Sequence, residues 1–219
     1  MSESDFVIHA ISDLHGHQPK LPGGDALIVA GDCTGRDTTS QWRAFGRWLG
    51  KQGYAEIILV AGNHDGMLYD NKDLVLSFMP PNLTYLEDWQ TWLANGMSVY
   101  GTPWTPPFQN WHFMQSRGEQ MQRKLETIPT GIDILVTHGP PIGFLDQVNK
   151  GTDAEPKIVH QGCWDLKTKI NQVKPRINLF GHIHENGGRR MRTEDIDFYN
   201  VAYLDEHYNP GREVTRIEI

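Results

Sequence analysis

The stretch EIILVAGNHD, residues 56–65, decides how the chain is read. Glu56 leads into an apolar run that reaches Ala61 and stops abruptly at Gly62-Asn63-His64-Asp65, a glycine followed by three side chains able to bind a metal or move a proton. A buried strand that delivers polar donors at its C-terminal end is the unit of an α/β sheet, where ligands gather beyond the carboxyl ends of the strands. The unit recurs along the chain. Phe6 to Ile11 ends in Ser12-Asp13, and Ala26 to Ala30 ends in Gly31-Asp32. Ile132 to Thr137 ends in His138-Gly139, and Ile177 to Phe180 ends in Gly181-His182-Ile183-His184. Five runs therefore finish on a candidate ligand, and an α/β fold is expected.

The segments between them read as follows. Trp42, Phe45, Trp48 and Leu49 fall at helical offsets within Thr38 to Gln52, with Thr38 or Thr39 placed to cap and Gly53 to stop the helix. Asp70 to Met79, Gln115 to Thr127 and Trp164 to Val173 also read as helices, the last stopped by Pro175. Ser98 to Gly101 reads as a short strand, and Arg189 to Arg192, Asp197 to Ala202 and Glu213 to Ile219 as later, antiparallel strands. Thr102 to His112, with three prolines among Trp104, Phe108 and Trp111, is a rigid aromatic loop. Gln147 to Gln161 carries the least pattern and is expected to be a mobile flap.

Composition narrows the function. The 219 residues suit a single domain spanning 1–219, since domains run to roughly 150 residues. With 38% hydrophobic residues there is material for a full core, and 22 glycines with 13 prolines mark a fold rich in turns. A net charge of −7 argues against a surface that tracks a nucleic-acid backbone, so long nucleic acid is disfavoured as a partner. Arg189 to Arg192, the one basic cluster, is followed by Glu194, Asp195 and Asp197 and reads as a solvated hairpin. No apolar run is long enough to span a membrane, and Met1 to Asp5 lacks the basic-then-apolar pattern of a signal peptide, so a cytoplasmic location is expected. Cys33 and Cys163, the only cysteines, are too few for a disulfide framework and read as buried thiols.

The chemistry lies in Asp13, His15, Asp32, Asn63, His138, His182 and His184, all at or just past strand ends. Imidazole and carboxylate suit divalent first-row metals, and a neutral Asn carbonyl completes a shell without adding charge. A carboxylate can bridge two such ions, and Asp32 is the candidate bridge. A water shared by two metals becomes hydroxide near neutral pH and can attack phosphorus in line. The alternative, ordinary core histidines and helix-capping aspartates, would bury many polar groups without partners. His9, His17, His112, His160 and His207 are read as outside the site.

These blocks, Asp13-Leu14-His15, Gly31-Asp32, Gly62-Asn63-His64-Asp65, Thr137-His138-Gly139 and Gly181-His182-Ile183-His184, resemble those of the calcineurin-like metallophosphoesterase superfamily. The resemblance implies two packed mixed β-sheets flanked by helices and a dinuclear site. It would give one metal to Asp13, His15, Asp32 and His184 and the other to Asp32, Asn63, His138 and His182. His64 would face the substrate and donate to a phosphate oxygen or the leaving group, with Asp65 orienting it. A closer likeness, in Tyr100 to Pro106, Gly131 to Phe144 and Phe180 to Glu185, is to the metallophosphoesterase-domain branch with the brain-expressed 239 proteins and bacterial class III cyclic nucleotide phosphodiesterases. Some animal members of that branch carry Gly where this chain has His182, so the full site here implies activity.

The function expected is thus a metal-dependent phosphodiesterase acting on small phosphodiesters or nucleotides, cyclic nucleotides among them. Two divalent ions are its cofactors, manganese first, with iron, zinc, nickel or cobalt as alternatives. Asn63, His64, Trp104 and Arg36 are the candidate substrate contacts. Trp104, Phe108 or Trp111 would stack a base or pack the loop, and Arg36 would reach a phosphate or pair with Asp37. A phosphomonoesterase with the same metal core and a catalytically idle binding scaffold are the rival readings, and the oligomeric state is left open.

Overall fold

The computed structural model describes residues 6–152 and 155–219. Met1 to Asp5, on which the cytoplasmic expectation partly rests, and residues 153–154 within the expected flap lie outside the described residues. Two mixed sheets stack with helices on their outer faces. The first holds β1 (Ile8–Ile11), β2 (Gly24–Ala30), β3 (Tyr54–Val60), β4 (Leu83–Tyr85) and β13 (Thr215–Ile217), in the order β13-β1-β2-β3-β4. The second holds β5 (Trp89–Trp92), β6 (Ser98–Thr102), β7 (Ile134–Thr137), β10 (Ile177–Phe180), β11 (Arg189–Arg192) and β12 (Asp197–Asn200), in the order β11-β12-β10-β7-β6-β5. The central strands of each sheet are parallel, and β13, β11 and β5 pair antiparallel at the edges.

Strand periodicity builds the layers. Ala10, Ile28, Val60, Val99, Val136 and Leu179 belong to one fully buried apolar cluster between the sheets. Alternate residues of the same strands, Ile11, Val29, Leu59, Leu135 and Phe180, belong to a second cluster with the helices. On the first sheet that partner is α1 (Thr39–Leu49), which buries Trp42, Phe45 and Leu49. On the second it is the packed pair α4 (Glu119–Leu125) and α5 (Trp164–Val173), through Met121, Leu125, Leu166 and Ile170. No helix among the described residues is long and apolar enough to cross a membrane.

Several expectations are corrected. Thr38 does cap α1, its Oγ1 accepting from the Gln41 N–H, but the helix stops at Gly50 rather than Gly53. Asp70 to Met79 is not one helix: α2 (Gly66–Asp70) and α3 (Lys72–Leu76) are separated at Asn71, whose φ of −139° is not helical. Gln115 to Thr127 shortens to α4 because Gly118, at φ +81°, precedes it. Of the three later strands, β11 and β13 pair antiparallel as read, while β12 is antiparallel to β11 on one side and parallel to β10 on the other. The expected flap contains a hairpin, β8 (Gln147–Asn149) paired with β9 (Ile158–His160). Its base is fixed by the fully buried Asp146, which accepts from the Gly162 N–H and lies 2.6 Å from His160 Nδ1.

Candidate metal centre

The parallel strands of both sheets point their C-terminal ends toward one seam, and backbone hydrogen bonds knit it. Ser12 donates to the Val201 carbonyl and accepts from the Tyr203 N–H, tying the end of β1 to the chain beyond β12. Gly181 donates to the His138 carbonyl, tying β10 to β7. The turns that follow are unusually tight. Asp13, His15, Asp32 and His182 all have left-handed backbone, with φ between +40° and +65°. Side chains disfavour that region, and residues held there cluster at functional sites. Gly31, itself at φ +96°, lies so close to the facing turn that an added Cβ would meet the Gly62 backbone and His138 Nδ1 at 2.6 Å. Gly181 leaves no room either, since its Cβ would strike the Asp13 carboxylate and Ser12 Oγ.

The seven donors named from sequence converge on this seam. Asp13, His15 and His184 have ligand atoms within 4.8 Å of one another, and so do Asp32, His138 and His182. His15, Asp32 and His64 form a third such group that joins the first two. Asp32 stands between, with Oδ1 3.4 Å from His138 Nε2 and Oδ2 3.6 Å from His15 Nε2. His184 Nε2 lies 3.3 Å from Asp13 Oδ1. Asn63 Oδ1 lies 2.9 Å from His138 Nε2.

Second contacts aim the imidazoles. His138 Nδ1–H donates to the Ala30 carbonyl and His184 Nδ1–H to the Asp205 carbonyl, each at 2.9 Å, which turns both Nε2 atoms toward the carboxylates. Asp13 accepts from Ser12 Oγ and the His182 N–H, and Asp32 Oδ1 accepts from the His64 N–H.

Electrostatics match a cation site. Burial alone would raise Asp13, yet the hydrogen bond and charge of His184 pull it down to about 2. Asp32 is held well below the ordinary carboxylate range despite burial, chiefly by His138. The carboxylates in turn lift His138 to about 10 and His184 to about 9 against the cost of burying them. His182 is lowered to about 4 by burial and the charge of His138, so its lone pair is free at neutral pH. His15 Nε2 is buried without a hydrogen-bond partner. An unpartnered imidazole nitrogen beside two ionised carboxylates is the arrangement a divalent ion completes, so the donor set fits two metals.

Other expected site residues fall differently. Asp65 does not orient His64. Its fully buried carboxylate accepts from the Asp32, Cys33 and Gly62 N–H groups at 2.8–2.9 Å, stapling the turn after β2 to the turn after β3. Burial and the neighbouring Asp32 hold it up, to about 7, against those backbone donors. His64 is steadied instead by Trp111, whose ring lies 4.0 Å away at 34°, and by an edge contact with His15. Trp104 is not a substrate contact: it is buried with its Nε1 donating to Asp88 Oδ2 and Lys124 Nζ 3.8 Å over its ring. Its loop neighbours Phe108 and Trp111 are exposed at the mouth instead. Arg36 lines a cavity of about 470 Å³ beside His15 and His64, while Asp37 is engaged with Trp42 Nε1 and the Met67 N–H rather than with Arg36. His17 lines the same cavity, outside the three donor groups among the described residues. Both cysteines are buried, and burial pushes both thiols up. Sequence reasoning missed Tyr208 and Asp205, which adjoin the candidate donors His15 and His184 from the 205–211 segment; Asp-Glu-His-Tyr-Asn-Pro-Gly signals a turn there but not where it docks.

Comparison with known proteins agrees with the geometry. The chain is 35% identical over 226 residues to human metallophosphoesterase domain-containing protein 1, covering 91% of this chain and 67% of that protein. It is 35% identical to a UPF0046 protein of Caenorhabditis elegans, covering 80% of this chain and 50% of the relative. The crystal structure of TT1561 of Thermus thermophilus shares the fold, with a TM-score of 0.64 at 16% identity over 90% of this chain and 88% of that one. The pattern of the family described as calcineurin-like phosphoesterase matches residues 6–186, the span that supplies all seven donors, and the chain accordingly belongs to that family of dinuclear, metal-dependent phosphoester hydrolases.

Proposed function

We propose that this chain hydrolyses small phosphodiesters, cyclic nucleotides among them, and that one ion is held by Asp13, His15, Asp32 and His184 and the other by Asp32, Asn63, His138 and His182. The observation that carries the diester reading is the charge of the mouth. Among the described residues lining the two cavities that open on the donors, Arg36, Arg117 and Lys150 are matched by Asp37, Glu185 and Glu206. Such a balanced wall suits the single charge of a diester better than the nearly doubled charge of a monoester at neutral pH. When bound, the metal pair lowers the pKa of water into the neutral range and offsets charge on the phosphoryl oxygens.

The protein's own groups do the rest. His64, half-buried at the mouth and held by Trp111, donates to the departing alkoxide. Arg36 reaches a phosphoryl oxygen from the cavity beside it. Asp65 keeps the Asp32 turn in place. The exposed rings of Phe108 and Trp111 offer faces to a base.

The test is a manganese-loaded panel of bis(p-nitrophenyl) phosphate, p-nitrophenyl phosphate, and 2′,3′- and 3′,5′-cyclic nucleotides, read by product identity. Faster turnover of the diesters is expected. Preference for the monoester would move the chain to the phosphatase reading, and no turnover at full metal content would favour a binding scaffold.

A further inference from the structure

We propose that Tyr208 is the partition that sorts the two separate substituents of an open-chain phosphodiester into different chambers, and so sets the preference for such diesters over monoesters. The inference rests on the hydrolytic reading above and assigns a role to a residue beyond the family match, which ends at 186.

Two cavities meet at the donor cluster. One, of about 310 Å³, reaches His182 and His184 and is walled by Pro106, Phe108 and Val148. The other, of about 470 Å³, reaches His15 and His64 and is walled by Arg36 and Trp111. Tyr208 alone among the described residues lines both. Its ring centroid lies 4.9 Å from that of His15 and 4.8 Å from that of His184, one ligand histidine of each chamber.

The position is built rather than incidental. Tyr208 has φ +61°, a left-handed conformation that is a genuine outlier for a bulky side chain and persists only where surrounding contacts impose it. Those contacts come from Asp205. Its carboxylate accepts from the His207 and Asn209 N–H groups and from Asn209 Nδ2, at 2.7–3.1 Å. Its carbonyl accepts from the Tyr208 N–H and from His184 Nδ1–H, so one residue fixes both the ring and the ligand beside it.

The chemistry follows from shape. The two ester substituents diverge from a tetrahedral phosphorus, and a wall between them holds one on each side, with the leaving group in the His64 chamber. A monoester has one substituent and needs one chamber. Removing the wall merges the chambers and penalises the diester selectively.

The experiment measures kcat/KM for bis(p-nitrophenyl) phosphate and p-nitrophenyl phosphate, which share a leaving group, in the manganese-loaded protein and in Tyr208→Ala, Tyr208→Gly and Tyr208→Phe. The diester-to-monoester ratio is expected to fall about tenfold in the Ala and Gly variants, mainly through the diester KM, and to be recovered in Tyr208→Phe. Manganese affinity by calorimetry is expected to stay unchanged in all three. The Gly variant suits the left-handed backbone and guards against a folding defect. Equal losses on both esters, a loss of manganese, an unchanged ratio, or a failure of Tyr208→Phe to recover it would each overturn the partition. A monoester preference in the unsubstituted protein would instead sink the diester reading, independently of how the ratio responds to Tyr208→Ala.

Discussion

At the scale of single residues, the proposed site separates candidate metal donors from the side chains placed to meet substrate. Asp32 presents one oxygen to His138 and the other to His15, so Asp32→Ala is expected to lose both ions and all measurable diester hydrolysis. Elemental analysis alongside an aryl diester assay checks this, and retained turnover in metal-defined buffer would contradict it. His64 touches Trp111 and His15 from the open side, so His64→Ala is expected to keep its metals and slow turnover by about 10²- to 10⁴-fold. The donors were legible in sequence because each follows an apolar run by one to a few residues, and the strand fixes where such a side chain emerges. Asp65 was legible as important but not in its role. The family resemblance assigned it to His64, whereas the turn sends successive side chains in different directions and leaves the carboxylate facing three backbone donors.

At the scale of elements, Asp65 joins two turns that carry ligands. An Asn that keeps its oxygen on the Asp32 and Gly62 N–H groups aims its NH₂ at the Cys33 N–H, leaving that buried donor unsatisfied. Asp65→Asn is therefore expected to cost about 1–3 kcal/mol in stability and to weaken manganese binding, with the pH profile of His64-dependent turnover unmoved. Denaturant unfolding and calorimetry on the same variant test both halves; a normal metal affinity would mean the staple is unnecessary. Long periodic elements were readable, α1 through its apolar offsets and α5 to the residue, because a helix buries one face whatever it packs on. Short ones were not. β4, β5, β8 and β9 have three or four largely exposed residues each and carry no buried apolar run; β4 and β5 form on the free edges of β3 and β6, while β8 and β9 pair only with each other. Trp104 illustrates the same limit: a Pro- and Trp-rich loop announces rigidity, but which ring turns inward is decided by Asp88 and Lys124, distant in sequence.

At the scale of the whole molecule, the two sheets supply different candidate donors, Asp13, Asp32 and Asn63 from the ends of the first, His138 and His182 from the second. Metal binding therefore ties the sandwich together and should raise the melting temperature. Its pH dependence has a definite sign. In the metal-free chain, His138 at about 10 and His184 at about 9 lie above the ordinary imidazole value of 6.5. Their contribution to stability is complete below 6.5 and is lost as pH rises through 9 and 10. Those same protons compete with metal, so manganese affinity is expected to climb from pH 6 to pH 9 while metal-free stability declines. Calorimetry and thermal melts with and without a chelator would show the two trends crossing, and a flat affinity would mean that neither histidine is a ligand.

The left-handed turns at Asp13, His15, Asp32 and His182 carry a last consequence. Each resists the conformation it is given, by an amount on the order of 1–2 kcal/mol for an ordinary side chain. A descendant released from its chemistry would find glycine an improvement at His15 or His182, whose rings make no hydrogen bond among the described residues, and its scaffold would grow more robust as its reactivity decayed. An idle descendant would then be the downhill neighbour of a working hydrolase, one substitution away.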